Sequence, residues 1–471
     1  MEYDYDIITL GLGPAGMAVS IMGSEMGLKV CAIEKHKIGG ECMNVGCIPS
    51  KSLLRMAKSR SVFEKLEKLG LAPTEKPKVI DPFPRIDAHL EFIREKKTMS
   101  MFKKVDLLYQ QGPASFVDRH TVQVGDKRVT GRRIYICAGT QPAIPPFPGI
   151  DQIDYLTNNN MFALERVPES MIVTGGGAIA CEMAQAFARL GAKVTMIIRG
   201  PRLMWRESQA ATDIIEKTFE SDGITILREQ KPMRFEKNAD GMVVMKTDKD
   251  TEVVAEKVLV AAGRAMAFED MKLDNAGVEY TERGIKVNRY LQTSRQNIYA
   301  CGDCNGYAQF SHAAMHQGMI AIMNSMMPWP MKKDYRKFPV PWTVFTEPQF
   351  SHVGLSEREL QEKGIAHEVI TVNYGDYGAA IAELVGVGHA RVYATKLGRI
   401  LGVDIIGEGS GEMINEWTLA VQKRLRLSDI MMTQHSFPTM GFLTKRVGET
   451  WMMNRMKSGF LQSMCRFMFR H

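Results

Sequence analysis

Residues 6–34 read DIITLGLGPAGMAVSIMGSEMGLKVCAIE, and the order of residue types in them decides how the chain folds. A short apolar run predicts a strand. A Gly-rich turn follows, then a helix with small residues, Gly27, a second apolar run and an acid. This is a β-α-β unit of about thirty residues, the unit that builds a parallel sheet covered by helices. Gly11, Gly13 and Gly16 fall as G-x-G-x-x-G directly after the first strand. The first glycine permits the tight turn, the second lets a pyrophosphate approach the backbone, and the third allows close helix–strand packing. The helix N-terminus then holds the negative charge. Glu34, at the end of the second strand, is placed to accept hydrogen bonds from ribose hydroxyls. A lone G-x-G-x-x-G is a weak signal, but strand, helix and acid in this order favour a dinucleotide site over a structural glycine turn.

The pattern recurs at residues 171–199, MIVTGGGAIACEMAQAFARLGAKVTMIIR, with Gly175, Gly177 and, in third place, Ala180. Its second strand ends in Arg199 where an NAD-preferring site would carry an acid. Arg199, with Arg202 and Arg206 close behind, suits a 2′-phosphate and favours NADPH, with NADH as the alternative; the competing reading is a solvated basic loop. Between the two units GTQPAIPPFPGI (139–150) reads as a linker. VLVAAGRAMAF (258–268) and TSRQNIYACGDCNG (293–306) read as strands ending in turns, and beyond Phe338 alternating strands with two helices predict a separate domain. The expected fold class is α/β, with two Rossmann-like units and an α+β domain. Expected boundaries are 1–149 and 266–335 for the first dinucleotide domain, 150–265 for the second, 336–447 for the last domain and 448–471 for a tail.

The chain has 471 residues, enough for roughly three domains, and 45% hydrophobic with 24% charged residues is the composition of a soluble globular protein. A net charge of +7 comes from scattered Lys and Arg, which suits small anions and forms no nucleic-acid stripe. No apolar run approaches a membrane span, and MEYDYDIITLG has no basic and apolar signal regions. With eight cysteines and no signal, the expectation is a reducing, cytoplasmic location with free or catalytic thiols.

Two of those thiols, Cys42 and Cys47, stand five positions apart in GGECMNVGCIPSKSLL (39–54). On a regular helix such positions lie roughly 140° apart, too far to bridge. Gly46 and Pro49 are the residues expected to let the segment leave regular helix. A helix N-terminus or a cation such as Lys51 lowers a thiol pKa. Spacing alone leaves two buried core cysteines as the simpler reading.

The wording of the segment, GGECMNVGCIPSK, resembles the redox-active disulfide motif of the flavoprotein disulfide reductases, among them dihydrolipoamide dehydrogenase, glutathione reductase and mercuric reductase. The resemblance runs from about residue 4 to about residue 445, through both dinucleotide units, the Gly302-Asp303 turn and VPWTVFTEPQFSHVG (340–354). It implies FAD in the first cradle with Gly139 and Asp303 beside it, and NADPH in the second with Gly263. It implies that Cys47 faces the flavin and forms the charge-transfer thiolate, and that Cys42 is the interchange thiol that meets substrate. It also implies a Lys51–Glu182 ion pair beside the flavin N5, where positive charge stabilises the reduced flavin. A homodimer that completes each active site is implied too, and no resident metal. AQAFARLGAKVTMIIR (184–199) is most similar to mercuric reductase, an NADPH enzyme. Where some relatives carry a gating tyrosine, this chain has Ala178.

The departure lies in QHSFPTMGF (434–442). Phe437 stands where the family's catalytic His would be and Phe442 where its Glu would be, while His435 is expected to be structural. Mercuric reductase places a tyrosine at the position of Thr439 and ends in a vicinal cysteine pair, against the single Cys465 here. Cys301 and Cys304 flank Asp303 as C-x-x-C, yet with no second pair at ligand spacing they are expected, like Cys31, Cys137 and Cys181, to be buried free thiols. In the tail Met452, Met456, Phe460, Met464 and Met468 recur every fourth position among Arg455, Lys457, Arg466 and Arg470. Packing against the protein's own dimer surface is the expectation, with docking to an anionic membrane or partner as the alternative.

The function expected is FAD-dependent NAD(P)H oxidation through a Cys42–Cys47 couple. The acceptor is one that needs no family His: a metal ion, a persulfide, an activated disulfide or a quinone. The alternatives are a slow, atypical dihydrolipoamide dehydrogenase, a mercuric reductase-like enzyme, and a flavin-fold interaction protein acting through its tail.

Overall fold

The structure is a computed structural model that describes residues 2–470, apart from the side chains at 95 and 96. Tyr5–Leu10 pairs in parallel with Val30–Glu34 on one side and Lys127–Ile136 on the other, and Asp106–Tyr109 extends the sheet beyond Val30–Glu34. The buried C-terminal half of Lys127–Ile136 also pairs with Ile298–Ala300, whereas its polar N-terminal half turns back against Thr121–Val124. The first nucleotide unit is therefore completed by chain that follows the second.

In the second unit Thr225–Leu227, Lys193–Ile197, Ser170–Thr174 and Lys257–Val260 lie side by side, all parallel. A three-stranded antiparallel sheet packs Phe235 and Met245 against Ile172 and Ile197. The third sheet is antiparallel in the order Trp342–Val344, Phe350–Gly354, Ile400–Ile406, His389–Ala394 and Glu368–Asn373, with Val353, Val392, Ile405 and Trp417 in its core.

Between Phe338 and the tail the sequence predicts two helices, and among the described residues the structure has five, the last of them running on into the tail. Glu357–Glu362, Gly378–Ala382 and Leu427–Met432 are five or six residues long, too short to display a 3.6-residue period. The first carried a signal nonetheless, because Ser356 and Glu359 form a capping box.

Two helix contacts position the site. Pro14–Glu25, behind the first glycine loop, packs on Ser311–Met326 so closely that a Cβ on Gly318 would come 2.5 Å from the Ala15 carbonyl oxygen. Cys47–Ser61 lies against Ala178–Leu190 through Leu53, Ala57 and Phe187, in a core shared by both units. Among the described residues no helix is long and apolar enough to cross a membrane.

Candidate active site

The segment holding the cysteine pair is two helices, Gly40–Asn44 and Cys47–Ser61, broken at Val45 and Gly46. Gly46 makes the break possible, because a Cβ there would lie 2.8 Å from the Glu41 carbonyl oxygen and 3.1 Å from Cys42 Cα. Pro49 does not break anything. It sits in the first turn of Cys47–Ser61, where its missing N–H has no partner to lose. The break puts Cys47 at a helix N-terminus and brings its thiol into a hydrogen bond with Cys42.

The two thiols are pushed in opposite directions. The hydrogen bond from Cys42 is the largest influence that lowers Cys47, followed by Ser311 and the charge of Lys51. Against the opposing burial they bring its thiol down to about 6. The same bond, with burial, pushes the Cys42 thiol up. Ser311 Oγ stands 3.3 Å from Cys47 Sγ, brought there by a helix 264 positions along the chain.

One turn behind Cys47, Lys51 Nζ lies 2.8 Å from Glu182 Oε2, and Glu182 Oε1 accepts the Phe345 N–H at 2.9 Å. The lysine also lies over the Phe345 ring, 4.4 Å from its centroid. Glu182 is 5% exposed, so its carboxylate depends on these partners.

The first cradle fits a dinucleotide. Gly16 packs directly on Gly11, its missing Cβ 1.9 Å from the Gly11 carbonyl oxygen, while Gly13 faces open space at the start of Pro14–Glu25. Glu34 accepts the backbone N–H groups of Leu12 and His36, each at 2.7 Å, one on each oxygen. That braces the loop and leaves lone pairs for ribose hydroxyls. Asp303 begins the turn after Ile298–Ala300 and takes a 3.3 Å hydrogen bond from Thr140, the residue after Gly139. Burial pushes its carboxyl above the usual range.

The sequence reading missed a clamp here. Arg264, next to Gly263, donates from Nε to Thr140 Oγ1 at 3.0 Å and from Nη2 to the Thr140 carbonyl at 2.8 Å, and pairs with Glu41, the neighbour of Cys42. Asn158 Nδ2 donates to the same Glu41 carboxylate at 3.2 Å. The motif neighbours Glu41 and Arg264 were the available signal. Ser311 had none, since only folding brings it near.

In the second cradle Gly177 faces open space at the start of Ala178–Leu190, Ala180 is buried against the sheet, and a Cβ on Gly175 would come 2.3 Å from the Ala261 carbonyl oxygen. Arg199 is exposed just past Lys193–Ile197, and Arg206 lies over the Trp205 ring at 5.2 Å. Arg202 is turned away into its own loop, bonded to Thr212 Oγ1 and the Glu207 carbonyl.

At the far end of the chain Phe437 is 69% exposed and meets Phe442 edge-on at 5.4 Å, while Phe442 stacks on Tyr377 at 6.0 Å. His435 has both ring nitrogens engaged, with Glu416 Oε1 at 2.9 Å and the Thr433 carbonyl at 3.1 Å. Cys31, Cys137, Cys181, Cys301 and Cys304 are buried free thiols.

Residues 5–318 match the family model described as pyridine nucleotide-disulphide oxidoreductase, and residues 340–446 match that family's dimerisation domain. The chain belongs to this family. It is 31% identical to the mercuric reductase of Staphylococcus aureus over 91% of this chain and 79% of that one. It is 32% identical to the dihydrolipoyl dehydrogenase of Thermus scotoductus over 93% of this chain and 95% of that one. In fold it resembles the HOCl-induced flavoprotein disulfide reductase RclA from Escherichia coli, with a TM-score of 0.85 at 24% identity over 95% of this chain and all of the other. As in its family, the cofactors are FAD and NAD(P)H, and the protein is an FAD-containing, NAD(P)H-dependent disulfide oxidoreductase. The dimerisation domain points to a homodimer.

Proposed function

We propose that this flavoenzyme takes reducing equivalents from NADPH, passes them to a Cys42–Cys47 couple, and delivers them to an acceptor that needs no protein-borne base. A metal ion, a persulfide, an activated disulfide or a quinone meets that requirement. The observation that carries the reading is one contrast. The Cys47 thiol is held down to about 6 by Cys42 and Ser311, while Phe437 and Phe442 stand where the resemblance places the family's acid–base dyad.

FAD, when bound, supplies hydride transfer from the nicotinamide and two-electron reduction of the disulfide. The chain's own groups then divide the labour. Glu34, Asp303 and the first glycine loop bind and orient the cofactor, with Arg264 holding Thr140 against Asp303. Lys51, held by Glu182, supplies positive charge one turn from Cys47. Two electrons on the couple leave Cys47 as a thiolate and one proton on Cys42. Cys42 is then the group that meets the acceptor. Arg199 and Arg206 are the groups that would receive a 2′-phosphate.

Anaerobic titration with NADPH, with NADH alongside, tests the reading. Long-wavelength thiolate–flavin absorbance after the first equivalent, with flavin bleaching only on the second, is the expected result. Bleaching at one equivalent with no such band would rule out the couple. The second reading, a slow dihydrolipoamide dehydrogenase, draws on the Thermus scotoductus relative.

A further inference from the structure

The family's dimerisation domain ends at residue 446, and beyond it the chain forms a last helix, Gly459–Arg470, none of whose residues is buried. Placed at 100° per residue, its side chains separate cleanly. Phe460, Met464, Phe467 and Met468 centre an apolar arc that runs on through Leu461 to Phe469 and covers roughly 200°. Gln462, Ser463, Arg466 and Arg470 share the remaining face. Phe460 is 77% exposed and Phe469 is 94% exposed.

The charge on this segment has one sign. Glu449 is the last acid in the chain, and Arg455, Lys457, Arg466 and Arg470 follow it. Arg455 is occupied, 3.5 Å from Glu368 and over the Trp451 ring. Among the described residues Lys457 and Arg466 bond neutral groups of their own segment, Asn454 and Ser463.

We infer that Gly459–Arg470 lies flat on an anionic lipid bilayer, with its phenylalanines and methionines among the acyl chains and Arg466 and Arg470 at the headgroups. Twelve residues are too few to cross, and an apolar arc of more than half the circumference flanked by arginine is the pattern of an interfacial helix. A groove on a protein needs only a stripe of anchors at i, i+3, i+4 and i+7, which leaves Phe469 unexplained. Pairing with a second copy of the helix would bury the apolar arc but leave Arg466 and Arg470, on the opposite face, with no acid of the segment to meet.

The test is flotation of the full-length, FAD-loaded protein with vesicles of phosphatidylcholine, alone and mixed with phosphatidylglycerol. Flotation is expected with the anionic vesicles only, and to weaken as salt is raised. Phe460→Glu with Met464→Glu should cut partitioning at least about tenfold. Arg466→Glu with Arg470→Glu should cut it by about fivefold for each cation lost. Both pairs lie outside the cofactor sites, so unchanged NADPH oxidation reports that they fold. Failure to float with anionic vesicles would overturn the inference, as would flotation that survives the Phe460 and Met464 changes. So would a fall in oligomer mass by light scattering on removing residues 459–471, which would assign the helix to a contact between copies.

Discussion

Lys51 Nζ and Glu182 Oε2 stand 2.8 Å apart, and this pair joins the two nucleotide units, since Lys51 comes from the helix behind Cys47 and Glu182 from the helix behind the second glycine loop. Phe345, the residue just after the strand Trp342–Val344, fixes the other oxygen of Glu182. One buried carboxylate therefore registers three parts of the chain beside the redox pair.

Lys51→Met should uncouple them. It leaves Glu182 buried against a single N–H, lowering stability by about 1–2 kcal/mol once the partial exposure of Lys51 is allowed for. Stopped-flow reduction by NADPH should slow roughly tenfold or more, because the positive charge beside the reacting centre is gone. An unchanged rate would remove Lys51 from the chemistry.

The pH behaviour follows from Cys47. Its pKa is lowered to about 6, so in the reduced protein the thiolate is present above that pH and is lost as pH falls through it. The ultraviolet absorbance of thiolate in the reduced protein should therefore titrate near pH 6, not near the ordinary thiol value. Cys47→Ser should abolish that step. Ser311→Ala should move it upward, by loss of a hydrogen bond to the thiolate.

Gly46→Ala tests the helix break. The added methyl meets backbone on two sides, and relieving it must spread Cys42 from Cys47, at a cost of about 1–3 kcal/mol. The variant should take up one NADPH equivalent per protomer instead of two in anaerobic titration. Uptake of two would mean the break tolerates a side chain.

Phe437→His with Phe442→Glu tests whether the missing dyad is what limits dithiol chemistry. Positioned general acid–base groups are worth about 10²–10⁴-fold, so dihydrolipoamide turnover should rise by about a hundredfold or more. Loss of the Phe442 stack on Tyr377 should cost about 1 kcal/mol. No rise would place the limit in the substrate pocket.

Arg199→Glu with Arg206→Glu should raise the KM for NADPH about tenfold while changing that for NADH little, because only the former carries a 2′-phosphate. Equal effects on both would assign these arginines to solvent.

Much of the molecule was legible before folding, because its signals are local. The glycine spacings at 11–16 and 175–180, the strands before them and the acid at Glu34 are set within thirty residues, so each unit announces itself. The wording around Cys42 and Cys47 implied a redox pair by resemblance, and the phenylalanines at 437 and 442 implied an absent dyad in the same way. What resisted reading was non-local or short. Three helices of the last domain are too short for a period to emerge. Arg264 and Glu41 meet only because the short strand Arg264–Ala265 and the helix Gly40–Asn44 converge in the fold. Arg202, three residues after Arg199, turns inward because Thr212 and the Glu207 carbonyl take its donors.

The sequence by itself determined the two nucleotide units and the residue types at 437 and 442, because these are matters of composition and spacing, while the wording around Cys42 and Cys47 implied a redox couple by resemblance. Only the tertiary structure decided what surrounds Cys47, how Glu182 is shared between Lys51 and Phe345, and that the last helix is exposed. Those depend on distances between groups far apart in the chain, Ser311 at Cys47 and Lys51 and Phe345 at Glu182, and on a last helix in which no described residue is buried.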